Sequence, residues 1–163
     1  MVSNIHYAVA DPAMAASMSG LELLEAMREG SIPRPPMGQR IPLDLVELVK
    51  GRIALSATAD DSFLNLAGIV HGGLALTALD TAMGLATLSM LPAGKGYASI
   101  ETAVRFLRPL PGGITYALSI TGEVVSFGRT VVTLRGEMRT EQDKLVATGT
   151  SACAVFDLRK SVQ

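Results

Sequence analysis

Asp80 is the side chain whose position most needs a chemical reason. It is the single charged residue between Gly72 and Gly94, in a run that reads as helix. A carboxylate two turns inside an uncharged helix costs stability unless it is paired or used. No Lys or Arg stands three or four residues away, so a helical ion pair is not the reason. Ionised at neutral pH, such a group can act as a general base or as a nucleophile. Upstream, Asn65-Leu66-Ala67-Gly68-Ile69-Val70-His71-Gly72-Gly73 leads into the same helix. Two adjacent glycines at a helix start let a ligand reach unpaired N–H groups at the positive end of the macrodipole. Such donors suit an oxygen that gains negative charge during reaction. Close helix–sheet packing would explain the two glycines equally well.

The spacing constrains how these groups could cooperate. A helix starting near Gly72 places Asp80 roughly 12 Å along its axis, and His71 and Asp80 point roughly 180° apart. They cannot meet at one small substrate group within one chain. A site that uses both requires a second subunit, most simply across a two-fold axis.

Several other chemistries are excluded. Gly149-Thr150-Ser151-Ala152-Cys153 lacks the closing glycine of a nucleophile elbow. Gly94-Lys95-Gly96 lacks the upstream Gly and the hydroxyl residue of a phosphate loop. No G-x-G-x-x-G opens a helix, so no dinucleotide is expected. Cys153, among Ala and Val, reads as a small buried residue rather than a nucleophile. With only His6 and His71 present, neither a metal nor any other cofactor is expected.

The elements that must position these residues follow from periodicity. Ser17 or Ser19 can cap a short helix running to Arg28 and stopping at Gly30, followed by an extended Pro-rich connector through Pro36. Residues 1–42 thus read as an amino-terminal arm, too short for a core of its own, before a domain over 43–163. A first strand is expected from about Val49 to Ala59, then a loop, then the helix from Gly72 to about Leu91, ended by Pro92. Beyond it the pattern is strand after strand. Ile100, Thr102, Val104 and Phe106 alternate with Ser99, Glu101 and Arg105; further strands cover 114–121, 132–139 and 145–156. Short turns imply antiparallel pairing, and one apolar helix with a run of such strands is an α+β fold, the sheet wrapped over the helix.

Composition agrees. The 163 residues are 48 % hydrophobic, 18 % charged and 4 % aromatic, with a formal net charge of -1. Nucleic-acid binding asks for a basic excess and exposed aromatics, and both are missing. A single cysteine and no signal-like amino terminus point to a cytoplasmic protein. The run from Gly72 to Gly94 is long enough to span a bilayer, but its central carboxylate favours a helix enclosed by protein, so no membrane partner is expected.

Together, His71-Gly72-Gly73, Asp80-Thr81-Ala82-Met83-Gly84, Phe106-Leu107-Arg108-Pro109 and Gly128-Arg129 resemble the hotdog-fold acyl-CoA thioesterases, in particular their phenylacetate-pathway, PaaI-like branch. The resemblance covers roughly residues 43–156. It implies a long helix wrapped by an antiparallel sheet, homodimers and often tetramers of them, with active sites shared between subunits. It implies Asp80 as base or nucleophile on the thioester carbonyl, Gly72 as the oxyanion donor, and Asn65 and His71 orienting the carbonyl or water. Ser99 would help to place water. Gly73, Thr81, Arg108 and Arg129 would contact substrate, the arginines at the phosphates of coenzyme A, which enters only as part of the substrate; Arg105 and Lys95 are further available cations. The acyl group would be aryl or medium-chain. A hydratase or dehydratase, or an acyl-CoA-binding protein without catalysis, are the alternatives.

Overall fold

The computed structural model describes residues 5–158. Two short helices, α1 (Pro12–Ser17) and α2 (Gly20–Glu29), precede strands β1 (Asp44–Val49) and β2 (Arg52–Ala59). The long helix α3 (Gly72–Leu88) follows, then β3 (Lys95–Phe106), β4 (Tyr116–Phe127), β5 (Val131–Thr140) and β6 (Leu145–Asp157). The strands form one six-stranded sheet in the order β1-β2-β4-β5-β6-β3, with every pairing antiparallel. This is the α+β arrangement expected, a hotdog fold with α3 held in the curve of the sheet.

Where the sequence reading differs, the cause is local. The strand expected over Val49–Ala59 is β2, starting at Arg52, and β1 before it was not expected; Val49 lies opposite Arg52, with Gly51 at φ 81° in the turn between them. A glycine inside an apparent strand marked that reversal. Helix α1, capped by the Asp11 side chain, was not expected. Helix α3 stops at Leu88 rather than Leu91 because Ser89 ties its end down. The Ser89 hydroxyl donates to Ala86 O and accepts the Gly51 N–H, each at 2.8 Å. No helix among the described residues is long and apolar enough to cross a membrane.

The seat of α3 is built from small residues. Gly122 on β4 lies opposite Gly136 on β5, which lies opposite Gly149 on β6, so three glycines stand abreast beneath the helix. Facing them, Ala78, Leu79, Ala82, Met83 and Ala86 are all fully buried. A Cβ on Gly122 would come within 2.3 Å of the Ala82 carbonyl carbon and 2.5 Å of Met83 N. The helix backbone therefore touches the sheet backbone, which only glycine permits.

The arm closes over this core. Ser19 and Glu22 form a capping box at the start of α2, and Gly30 ends it in the left-handed conformation. Leu24 and Ile32 are 1 % and 4 % exposed. Gly20 N–H donates to Leu91 O at 2.9 Å, and a Cβ at Gly20 would lie 1.8 Å from Leu88 O.

Candidate active site

Asp80 lies partly buried on α3 and opens into a cavity of about 270 Å³, shared with Thr77, Thr81 and Tyr97. Its Oδ1 accepts a 2.7 Å hydrogen bond from the Thr102 hydroxyl of β3. Thr102 Oγ1 is also 3.2 Å from the Ser151 hydroxyl, which donates to Glu101 O at 2.8 Å. A carboxylate only accepts, so Thr102 donates its one proton to Asp80, and a charge-assisted bond of this kind orients the carboxylate firmly. Thr81 sits beside Asp80 but turns its hydroxyl back to Thr77 O, at 2.8 Å.

The sequence reading missed Thr102, and it misplaced the face of Ser99. Straight alternation sends Ser99 outward with Glu101 and Arg105. In the structure a β-bulge interrupts the β3–β6 register between Ser99 and Glu101, so Ser99 faces buried Cys153 and Thr102 faces buried Ser151. Both hydroxyls now look toward α3, while Ile100, the bulged residue, is 61 % exposed. Ser99 Oγ lies 3.9 Å from Cys153 Sγ. Counting back by twos from Phe106 would have put Thr102 opposite the helix; the bulge itself leaves no sequence mark here.

The glycine end of α3 faces a different cavity, of about 670 Å³, lined in part by Asn65, His71, Gly72, Phe106 and Arg108. His71 is the N-cap, its Nδ1 accepting the Gly73 N–H at 2.8 Å. That bond consumes the Gly73 donor and puts the neutral ring's proton on Nε2. The Gly72 N–H has no acceptor among the described residues. Asn65 Oδ1 accepts the Ala67 N–H at 2.9 Å, which leaves its amide NH₂ as the free donor. The glycine at 72 has a steric reason as well, since a Cβ there would lie 2.9 Å from the Phe106 ring. His-Gly-Gly and Phe-Leu-Arg-Pro are thus two halves of one contact.

Within one chain, then, Asp80 opens on one cavity and the Gly72 donor on another. The outer edge of β3 is unpaired and carries exposed Ile100 and Phe106. Arg108 and Arg105 lie along or just beyond this strand, and Arg129 in the β4–β5 turn; none of the three forms an ion pair among the described residues. Lys95 is held by Asp157 at 2.7 Å.

Residues 67–147 match the family model of the thioesterase superfamily. A Saccharolobus solfataricus protein named as a candidate esterase is 28 % identical over 123 residues, covering 76 % of this chain and 84 % of its own. The chain is a thioester hydrolase with the hotdog fold. A Ralstonia eutropha structure, described as a candidate thioesterase and phenylacetic acid degradation-related protein, superposes with a TM-score of 0.69 at 29 % identity, covering 80 % of this chain and 97 % of that one. A Streptococcus mutans structure with acetyl-CoA bound superposes with a TM-score of 0.64 at 26 % identity, covering 71 % and 89 %.

The thioesterase carries one further polar group beside Asp80. The Tyr97 hydroxyl sits over Gly84, where a Cβ would be 2.7 Å from it. Gly84 is one turn beyond Asp80, so a glycine in mid-helix, costing about 1 kcal/mol against alanine, makes room for the phenol. Burial pushes the Tyr97 hydroxyl well above the usual phenol range, with the charges of Cys153 and Asp80 adding to it. It is therefore a neutral donor throughout the physiological range.

Proposed function

We propose that this thioesterase hydrolyses acyl-CoA thioesters at a site completed by two subunits, and that it belongs with the PaaI-like branch. The observation that carries the reading is that Asp80 and the free Gly72 N–H, both wanted at one carbonyl, open on separate cavities of a single chain. A second copy paired along the open edge of β3 would bring its own Gly72 to the first copy's Asp80. That edge is the longer of the two at the sheet margins, 12 residues against six in β1. Unprotected edges of this kind are templates for pairing. Tetramers built from such dimers are an extension of the same reading.

In the proposed reaction Asp80 takes a proton from water as the water oxygen bonds to the thioester carbon. Thr102 and Ser99 hold the carboxylate and the water in line. The carbonyl oxygen, now negative, is received by Gly72 N–H of the partner subunit, with Asn65 and the His71 Nε2–H beside it. The C–S bond then breaks and coenzyme A leaves as a thiolate. A thiol with a pKa of about 8.5 leaves without a dedicated acid, so one carboxylate and one oxyanion donor suffice. Attack by Asp80 itself on the carbonyl carbon uses the same geometry. Arg108 and Arg129 are the cations free to meet the coenzyme's phosphates. The free Gly72 N–H at the His71-Gly72-Gly73 helix start, an oxyanion donor, favours hydrolysis over hydration.

The test is complementation. Gly72→Pro removes the N–H at a first helical position, where proline is tolerated, and His71 before it is already extended. The exposed Phe106 ring, 2.9 Å from the added Cβ, must turn aside, so a thermal melt checks that the variant folds. Asp80→Asn and Gly72→Pro subunits, each inactive alone, should recover about a quarter of wild-type activity when co-expressed, because half the dimers are mixed and each mixed dimer has one intact site. A mixture as inactive as its components would refute the shared site. Separately, Thr102→Val should lower kcat about tenfold or more with KM little changed, as loss of a hydrogen bond to a charged group implies. Thr102→Ser should restore most of it.

A further inference from the structure

The cavity beside Asp80 is not made by the sheet and helix alone. Leu45 and Leu55 supply part of its wall, and the rest comes from the arm, through Tyr7, Met27, Met37 and Ile41. The sheet curves round α3 from β1 to β3, and the arm lies across the side left open between those edges. The family match starts at residue 67, so this wall lies wholly outside it.

The wall is held in place before any substrate arrives. Arg34 is clamped to Asp44 at 2.6 Å. Ala8 N–H donates to Arg34 O at 3.0 Å and Arg34 N–H to His6 O at 2.9 Å, which fixes Tyr7 against the connector. The Tyr7 ring lies where a side chain at Gly38 would be, 2.8 Å from that missing Cβ. Together with the contacts of Gly20, Leu24 and Ile32 with the core, these anchors give the cavity a set depth.

Resting on the acyl-CoA reading above, we propose that the amino-terminal arm is the specificity element of this enzyme, with Tyr7, Met27 and Met37 forming the wall that limits acyl length. A volume of about 270 Å³ holds about nine groups the size of a water molecule or methylene, at about 30 Å³ each. The acyl group it fits is apolar, with about six to ten carbons. An acetyl group leaves the cavity mostly unfilled, and a palmitoyl chain overruns it. Each surplus or missing methylene in such a pocket shifts discrimination by about tenfold or more.

The experiment is thiol release from a series of acyl-CoAs, acetyl to palmitoyl, by the full chain and by Tyr7→Ala, Met37→Ala and Met37→Trp. Met37 is 57 % exposed, so its replacement leaves the core alone, and a thermal melt checks each variant. The wild type should peak at about six to ten carbons. The two alanine variants should raise the ratio of tetradecanoyl to octanoyl kcat/KM at least about tenfold, and Met37→Trp should lower the octanoyl to butanoyl ratio by a similar factor. Length profiles that coincide in all four proteins would overturn the assignment while leaving the hydrolytic reading intact. A wild type that releases thiol from none of the series would overturn that reading instead, and this one with it.

Discussion

Asp80→Asn is expected to lower kcat/KM for thioester hydrolysis by about 10³-fold, the usual worth of a positioned general base, while the protein stays folded. The substitution is nearly isosteric, and Asn Oδ1 can still accept from Thr102, so the contact with β3 survives. What is lost is the negative charge, and with it either the proton acceptor or the nucleophile. Free-thiol release, measured alongside a thermal melt, checks both halves. A variant within about tenfold of the wild type would remove Asp80 from the chemistry, because a purely structural hydrogen bond is retained by asparagine.

The second large effect is on stability. Gly122→Ala should cost about 3 kcal/mol, near the upper end for overpacking, because the added methyl meets backbone rather than a flexible side chain. Its neighbours would be the Ala82 carbonyl carbon and oxygen at 2.3 Å and 2.4 Å. For a chain of this size such a loss lowers Tm by about 10 °C. Gly149→Ala is the control from the same row. There the nearest atom is the end of the Met83 side chain at 3.1 Å, which can turn aside, and the gain in backbone rigidity offsets part of the crowding. It should lie within about 1 kcal/mol of the wild type. Urea denaturation of the two variants, compared at equal slope, measures the difference. Equal losses at both positions would mean that the helix does not rest on the glycine row.

What could be seen in the sequence was whatever has a period or a forbidden charge. The central helix, the four strands after it, the α2 cap at Ser19 and the odd position of Asp80 all follow from spacing and burial cost. The opposed directions of His71 and Asp80 follow from nine helical steps and nothing more. What stayed hidden were the features that break a period. The Ser99–Glu101 bulge turns two hydroxyls to one face, and only Thr102 reaches Asp80. The reversal at Gly51 sets an unforeseen strand, β1, before the expected one. Consumption of the Gly73 donor by His71 depends on a side-chain rotamer. The arm's part in the cavity was the hardest to foresee, since Tyr7 and Asp80 are brought together by tertiary packing.

The glycine row has a consequence for how such a chain can change. With Gly122, Gly136 and Gly149 abreast under Ala82 and Met83, α3 is keyed into the sheet and can neither slide nor roll without a backbone collision. Asp80 therefore keeps its height relative to Thr102 whatever occupies the cavity on its other side. Tyr7 and Met37 sit on a segment joined to that framework by a few anchors, none of which passes through the row. Substitutions there alter the shape of the cavity and leave the carboxylate unmoved. Novelty in substrate choice can accumulate at the amino terminus by single steps, each selectable by itself, without retuning the reacting groups.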